Sequence, residues 1–198
     1  MRRDQFPLYI VDDEESVLES MAFMLESYGY RVETFSRGQA FLDAIDTAQI
    51  GCVLLDSRMP GLRGQDVQKI LSNQNSALSI IYLTGHGDIP MAVEALKNGA
   101  IDFFQKPVDG DNLVAAIDKA MRASESSAQG FAESKAMESL TQREREVLDL
   151  IVQGKKNQQM ADELCVSLRT IEVHRSNVMK KLEADNLAVL IRKVGHLI

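Results

Sequence analysis

The chain has very little cysteine and no long hydrophobic run. Its two cysteines, Cys52 and Cys165, form no CxxC or Cys/His spacing, so neither a disulfide framework nor a zinc site is predicted. No apolar stretch approaches the roughly 20 residues that a transmembrane helix needs. The apolar stretch near the N-terminus is too short for a signal peptide. We therefore expect a cytoplasmic protein that makes no membrane contact.

Positive charge is scarce in the front part of the chain. The net charge of the 198 residues is −7, but residues 140–198 carry ten Lys and Arg residues against eight Asp and Glu residues. An acidic front and a mildly basic tail indicate two functions on one chain, and the length is sufficient for two small cores. We predict domains at 1–122 and 140–198, joined by an Ala/Ser/Glu-rich linker at 123–139 that is either flexible or partly helical.

Five short apolar runs in the first domain alternate with amphipathic helical segments. The runs are LYIV, RVETF, CVLL, SIIYLT and IDFF. This alternation predicts an α/β fold with a parallel, doubly wound sheet, for which we expect the flavodoxin-like strand order 2-1-3-4-5. In such sheets ligands bind beyond the carboxyl ends of the strands, where the strand order reverses.

Polar residues stand at the ends of four of these strands. Asp12 and Asp13 follow the first, Asp56 follows the third, Thr84 ends the fourth and Lys106 follows the fifth. Taken singly, each has an ordinary interpretation: an acid pair can cap a helix, an aspartate can form a turn, and Lys-Pro can precede a helix. The expected strand order would bring the carboxylates together, and converging oxygen ligands favour Mg²⁺. Their joint placement therefore predicts a site.

The tail contains helical segments only. TQRE at 141–144 predicts a capping box, and Asn157 and Ser167 are candidate caps of the next two helices. The two helices are separated by the tight turn CVS. Short helices across such a turn are typical of the helix-turn-helix motif, so we predict a small all-α helix-turn-helix domain.

Both halves resemble known domains. IVDDEES, LLDSRMPGLRG and LTGHGDIPMAVEALKNGAIDFFQKP resemble the receiver domain of bacterial two-component response regulators. LTQREREVLDLIVQGKKNQQMADELCVSLRTIEVHRSNVMKKL resembles the LuxR/NarL-type DNA-binding domain, and the whole is most similar to the FixJ-like subgroup. The resemblance implies a phosphorylation-dependent transcriptional regulator, which is no enzyme beyond catalysing its own phosphorylation and dephosphorylation. Its implied partners are a sensor histidine kinase, double-stranded promoter DNA, RNA polymerase and, on activation, a second copy of the chain.

The resemblance also implies roles for the residues at the strand ends. Asp56 would accept the phosphoryl group, and Lys106 would stabilise the charge on its oxygens. The Thr84 hydroxyl would then bond a phosphoryl oxygen, and Phe103 would be the switch aromatic that turns inward as the threonine moves. The implied Mg²⁺ ligands are Asp12, Asp13, Asp56 and the carbonyl oxygen of Arg58.

The third helix of the tail carries side chains suited to DNA. Glu172, Val173 and Ser176 lie about a turn apart, where they can read base edges in the major groove, Glu172 by accepting from a cytosine amino group. A salt bridge from Glu172 to Arg169 or Arg175 is an equally open alternative. The predicted phosphate contacts are Arg169, Thr170, His174, Arg175 and Lys180.

The small positive charge of the tail predicts weak DNA binding by one copy. Phosphate contacts by Lys and Arg supply much of the affinity for DNA, so we expect a dimer on a two-fold site. The resemblance places dimer contacts of the tail near 186–194 and those of the receiver near 89–121. Either surface could equally be an ordinary solvated helix face.

Three other functions stay open at this point. A dimeric DNA-binding regulator that needs no phosphorylation would leave the acidic residues and Lys106 without a role. An aspartyl-nucleophile phosphohydrolase of the haloacid dehalogenase type would need a second acid two residues after Asp56, where this chain has Arg58. An RNA-binding antiterminator suits the helix-turn-helix tail less well than a DNA-binding protein.

Overall fold

The computed structural model describes residues 2–85 and 89–194, and within these it has five strands and nine helices. Residues 1–128 and 129–198 form two compact units. The strands are β1 (Pro7–Val11), β2 (Arg31–Phe35), β3 (Cys52–Asp56), β4 (Ser79–Thr84) and β5 (Asp102–Gln105). The helices of the first unit are α1 (Glu15–Ser27), α2 (Gly38–Ala44), α3 (Gly64–Asn73), α4 (Ile89–Lys97) and the first part of α5 (Gly110–Glu138). Those of the second unit are the end of α5, α6 (Gln142–Val152), α7 (Asn157–Glu163), α8 (Leu168–Lys181) and α9 (Leu187–Val194).

The five strands form one parallel sheet in the order β2-β1-β3-β4-β5, which confirms the predicted α/β fold. Side chains alternate between the two faces of the sheet. Leu8 and Ile10 of β1 belong to a core with α1 and α5, whereas Tyr9 and Val11 belong to a core with α2, α3 and α4. β1, β3 and β4 are buried throughout, which explains why the sequence shows them as continuous apolar runs.

The second unit has its own apolar core, built from α6, α7, α8 and α9. The predicted capping box is present: Thr141 Oγ1 accepts from the Glu144 N–H, and Glu144 accepts from the Thr141 N–H. Ser167 caps α8 by accepting from the Thr170 N–H at 3.1 Å. The expectation for Asn157 is wrong, since Lys156 takes the N-cap position and Asn157 is the first residue of α7. α7, a tight turn and α8 form the predicted helix-turn-helix.

Residues 123–138, predicted as a linker, lie in α5. Ser124 is buried in the first unit, where its hydroxyl accepts from the Gly51 N–H at 2.9 Å. Ala136 and Met137 pack against the core of the second unit. The two units divide between residues 128 and 129, and the functional boundaries at 122 and 140 stay predictions.

Both cysteines are free thiols. Cys52 is buried in β3, and burial raises the pKa of its thiol, whereas Cys165 is exposed in the turn before α8. Within the described residues, no helix combines the length and the apolar character required to cross a membrane.

Candidate functional site

The carboxyl ends of β1 and β3 bring three carboxylates together. Because β1 and β3 are neighbours, Asp12 and Asp13, which follow β1, lie beside Asp56, the last residue of β3. One carboxylate oxygen of each residue lies within 4.8 Å of the other two. Asp12 and Asp56 are buried and Asp13 is exposed. The result is a cluster of oxygen ligands that can be approached from the side of Asp13.

Lys106 adds a cation to this cluster. Its backbone N–H donates to the Thr84 carbonyl at 2.7 Å, which places the residue directly after β5. The ammonium donates to Asp12 Oδ2, and its Nζ lies 3.5 Å from Asp56 Oδ1. Burial lowers the pKa of this ammonium, but the hydrogen bond to Asp12 and the charge of Asp56 outweigh burial and raise it above its ordinary value. Lys106 therefore stays charged beside both buried carboxylates.

Backbone N–H groups hold the remaining oxygens of the two buried carboxylates. The Arg58 N–H donates to Asp56 Oδ2 at 3.0 Å, and the Glu14 N–H donates to Asp12 Oδ1 at 3.1 Å. Asp12 thus also performs the ordinary role of bonding the backbone that enters α1. Burial raises the pKa of the Asp56 carboxyl, while the Lys106 charge and the Arg58 N–H oppose that shift. The site fixes one oxygen of Asp56 and leaves the other beside Lys106.

Thr84 lies on β4, the strand next to that of Asp56, and Phe103 lies on β5, one strand further away. Thr84 ends β4 and is fully buried, and its hydroxyl oxygen accepts from Ser57 Oγ at 3.2 Å. Phe103 lies in β5 and is half-buried, with its ring centroid 6.5 Å from that of Tyr82. The Arg58 side chain is exposed, while its backbone N–H donates to Asp56 Oδ2.

Gly64, which was not predicted from the sequence, lies against the Asp56 carbonyl. A Cβ atom on Gly64 would lie 2.5 Å from the Asp56 carbonyl oxygen and 2.8 Å from the Tyr82 ring. Real Cβ atoms do not approach other atoms this closely, so α3 can begin against the end of β3 only with glycine there. A glycine at the first residue of a helix is the signal that could have indicated it.

The predicted base-reading residues lie on the outer face of α8. Glu172, Val173 and Ser176 are exposed, as are the predicted phosphate contacts Arg169 and Lys180. Val173 is 53% exposed. Among the described residues Glu172 has no ion pair within 4.0 Å, so the salt-bridge alternative is not observed.

Three predicted DNA contacts are half-buried instead. Thr170 shares a hydrogen bond with Ser167 at 2.8 Å. The Nδ1 atom of His174 is buried without a hydrogen-bond partner in the described part of the chain. Arg175 donates to Asn157 Oδ1 at 3.0 Å and so ties α8 to the first residue of α7. Asn177 is exposed one turn after Val173, on the same face of α8. It was not among the predicted DNA contacts, although helical spacing places it beside them.

An ion pair fixes the C-terminal end of α8. Lys181 Nζ donates to Glu144 Oε2 at 2.7 Å and to the Ser139 carbonyl at 3.0 Å. The Glu144 side chain is only 5% exposed. The hydrogen bonds from Lys181 and from the Thr141 N–H lower the pKa of Glu144 to about 2. α8 is therefore anchored to the start of α6 by a charged contact.

We expect Lys181→Met to destabilise the second unit by on the order of 2 kcal/mol at pH 7, because the buried Glu144 carboxylate loses its charged partner. A depressed pKa stabilises the fold fully above the unfolded value near 4.5, and the contribution is lost as the pH falls through about 2. Hydrogen exchange of α8 amides at pH 7 and pH 3 would measure both effects. The exposed Lys180→Met is the control, and equal exchange in the two variants would contradict the prediction.

Comparison with known families identifies the chain. Residues 8–118 match the response regulator receiver domain, and residues 138–194 match the luxR family of bacterial regulatory proteins. The chain belongs to the response regulator family. With a LuxR-type DNA-binding region behind its receiver, this response regulator is a two-component transcriptional regulator and not a classical enzyme, which confirms the predicted function class.

Relatives of this response regulator align with most of its length. It is 43% identical over 189 residues to the transcriptional regulatory protein FixJ of Bradyrhizobium diazoefficiens, covering 93% of this chain and 92% of FixJ. It is 42% identical over 186 residues to the tetrathionate response regulatory protein TtrR of Salmonella typhimurium, covering 94% and 90%. Among solved structures, full-length FixJ from B. japonicum is 40% identical with a TM-score of 0.60, covering 96% of each chain. The response regulator StyR is 38% identical with a TM-score of 0.74, covering 96% of this chain and 99% of StyR.

Proposed function

We propose that Asp56 accepts a phosphoryl group from a sensor histidine kinase and that this modification promotes DNA binding by a dimer of the chain. The observation that carries the proposal is the convergence of three carboxylate oxygens within 4.8 Å beside the Lys106 ammonium. Asp56 is buried and held by the Arg58 N–H, so its carboxylate is already oriented before a phosphodonor arrives.

The carboxylate cluster suits Mg²⁺. Its donors are oxygens only and lie close enough to share one small ion, and Mg²⁺ prefers such ligands together with water and phosphate oxygens. When bound, Mg²⁺ neutralises charge on the phosphoryl oxygens and aligns them with the acceptor. The proposed protein ligands are Asp12, Asp13, Asp56 and the Arg58 carbonyl.

The chain's own residues supply the rest of the transfer. A carboxylate oxygen of Asp56 forms a bond to phosphorus while the bond between phosphorus and the kinase histidine nitrogen breaks, and the bonding electron pair leaves with that nitrogen. Asp12 and Asp13 would by themselves repel the incoming group. Lys106 offsets that repulsion, because its ammonium faces Asp12 and Asp56 together.

Thr84 and Phe103 would couple phosphorylation of Asp56 to a rearrangement of the receiver surface. The Thr84 hydroxyl, now bonded to Ser57, would exchange that contact for a phosphoryl oxygen. Phe103, half-buried beside Tyr82, would turn inward. Dimer contacts near 89–121 and 186–194 would follow.

The DNA-binding surface is the exposed face of α8. Glu172, Val173 and Ser176 would read bases in the major groove, with Arg169 and Lys180 on phosphates. The half-buried Thr170, His174 and Arg175 would contact DNA phosphates beside these bases. Thr170 and Arg175 also stabilise α8 through their bonds to Ser167 and Asn157. A dimer doubles this weakly charged surface on a two-fold promoter site, where RNA polymerase is the further proposed partner.

The test is intact-mass analysis of the full chain after incubation with acetyl phosphate and Mg²⁺, followed by sizing and promoter-fragment binding. We expect one added phosphoryl group on the wild type, none on Asp56→Asn, and dimerisation of the labelled protein only. Asp43→Asn, an exposed aspartate on α2, is the matched control and should label normally. Labelling of Asp56→Asn at the wild-type level would refute Asp56 as the acceptor. Equal DNA binding with and without label would favour the phosphorylation-independent regulator.

A further inference from the structure

A buried polar network joins β4, α3 and the end of α4. The Tyr82 hydroxyl donates to Gln68 Oε1 at 2.9 Å, and Gln68 Nε2 donates to the carbonyls of Ala95 at 3.1 Å and Asn98 at 3.0 Å. Tyr82 is fully buried and Gln68 is 3% exposed. The Gln68 amide therefore uses both of its N–H donors and its oxygen in the core. A fully satisfied buried network specifies one arrangement, because any shift leaves a buried polar group without a partner.

The network bonds backbone carbonyls at the C-terminal end of α4. The last carbonyls of a helix have no partner within the helix; α4 ends at Lys97, and Gly99 two residues later has a φ of +95°. The Ala100 N–H returns to the Ala95 carbonyl at 3.0 Å, and Gln68 supplies further donors to the same turn. The C-terminal end of α4 is thus fixed to α3 by directed hydrogen bonds as well as by apolar packing.

The same tyrosine lies next to the phosphoryl-acceptor site. Tyr82 precedes Thr84 by two residues on one strand, so both side chains lie on the same face of the sheet. The Tyr82 ring packs against Gly64, which in turn abuts the Asp56 carbonyl. Its other neighbour is Phe103. The Tyr82 ring therefore contacts a residue beside Asp56, and its hydroxyl bonds Gln68, whose amide reaches the end of α4.

The network belongs to a particular arrangement of the receiver, which we call the resting arrangement. In it, the Thr84 hydroxyl accepts from Ser57. We propose that Tyr82 and Gln68 act as a positioning pair that holds α4 in the resting arrangement and so limits dimerisation before Asp56 is modified. This inference rests on the proposed function of Asp56. Coupling through such a pair requires two arrangements with different energies, and the loss of the pair should favour the other one.

The experiment compares Tyr82→Phe, Gln68→Leu and the double variant in the full chain, without a phosphodonor. Tyr9→Phe is the matched control, because the Tyr9 hydroxyl also donates to a glutamine oxygen, Gln49 Oε1, at 3.1 Å from the same sheet. The measurements are hydrogen exchange of amides 95–100 and the dimerisation constant from sedimentation. We expect exchange and dimerisation of the unmodified protein to rise on the order of tenfold in each single variant. The double variant should match Gln68→Leu, because that change already removes the bond to Tyr82 together with the two bonds to the end of α4.

Several results would overturn the proposal. If Tyr82→Phe and Gln68→Leu only lower the melting temperature, as expected of Tyr9→Phe, and dimerise like the wild type, then the pair is merely structural. A rise in the double variant equal to the product of the single effects would show that the two residues act separately. Failure of the proposed function looks different: the wild type would then take no phosphoryl label from acetyl phosphate, whatever the exchange of amides 95–100 shows.

Discussion

Lys106→Met should accept a phosphoryl group from acetyl phosphate about 10²–10³-fold more slowly than the wild type. A loss of this size is typical when one preorganised group that stabilises developing charge is removed. The Lys106 ammonium bonds Asp12 and lies 3.5 Å from Asp56. Without it, two buried carboxylates would face each other and the incoming phosphoryl oxygens with less compensating charge. Methionine keeps the length of the side chain, so the variant removes mainly the cation.

The rate is measured by intact mass at fixed Mg²⁺ and several acetyl phosphate concentrations. Lys119→Met is the control, since Lys119 is exposed on α5 and makes no ion pair among the described residues. If Lys106→Met and Lys119→Met label at the same rate, the charge of Lys106 has no part in the transfer.

Gly64→Ala should both destabilise the receiver and slow phosphoryl transfer. The new Cβ would lie 2.5 Å from the Asp56 carbonyl oxygen, and backbone atoms cannot yield as a flexible side chain can. Overpacking of this kind costs about 1–3 kcal/mol. Because the displaced group carries the acceptor itself, a shift approaching ~1 Å could slow labelling by as much as ~10²-fold.

Gly130→Ala provides the matched control, because a Cβ atom there has no neighbour within 4 Å. Gly130 lies inside α5, where alanine is the better helix former, so this variant should gain about 0.5–1 kcal/mol of stability. Urea unfolding and acetyl phosphate labelling of both variants test the pair. Wild-type stability and labelling of Gly64→Ala would show that α3 does not press against Asp56.

Local patterns were enough to predict the five strands and two of the helix caps. Apolar runs of four to six residues and amphipathic segments between them define a parallel sheet, because buried strands and surface helices have different periods. The capping box at Thr141 and the cap at Ser167 were also predictable, since a cap involves residues only three positions apart. Asn157 was misplaced by one residue, a shift that neighbouring sequence does not resolve.

The candidate site was predictable in part for the same reason. Asp12, Asp56 and Thr84 stand at strand ends, and a parallel sheet brings such ends to one edge whatever the side-chain details. The sequence could not indicate that α5 continues through residues 123–138, because an Ala/Ser/Glu-rich segment is compatible with either helix or coil. The contacts of Ala136 and Met137 with the second core favour the helix there.

The sequence by itself determined the fold class, the strand order and the acidic and basic residues brought to the strand ends, because these depend on periodicity and on topological rules. Only the tertiary structure decided which atoms meet. The close approach of Gly64 to Asp56, the bond from Arg175 to Asn157 and the Tyr82–Gln68 network join residues of different elements. Such contacts depend on the depth and rotation at which each helix packs, and these are set by the filling of the whole core rather than by any local pattern.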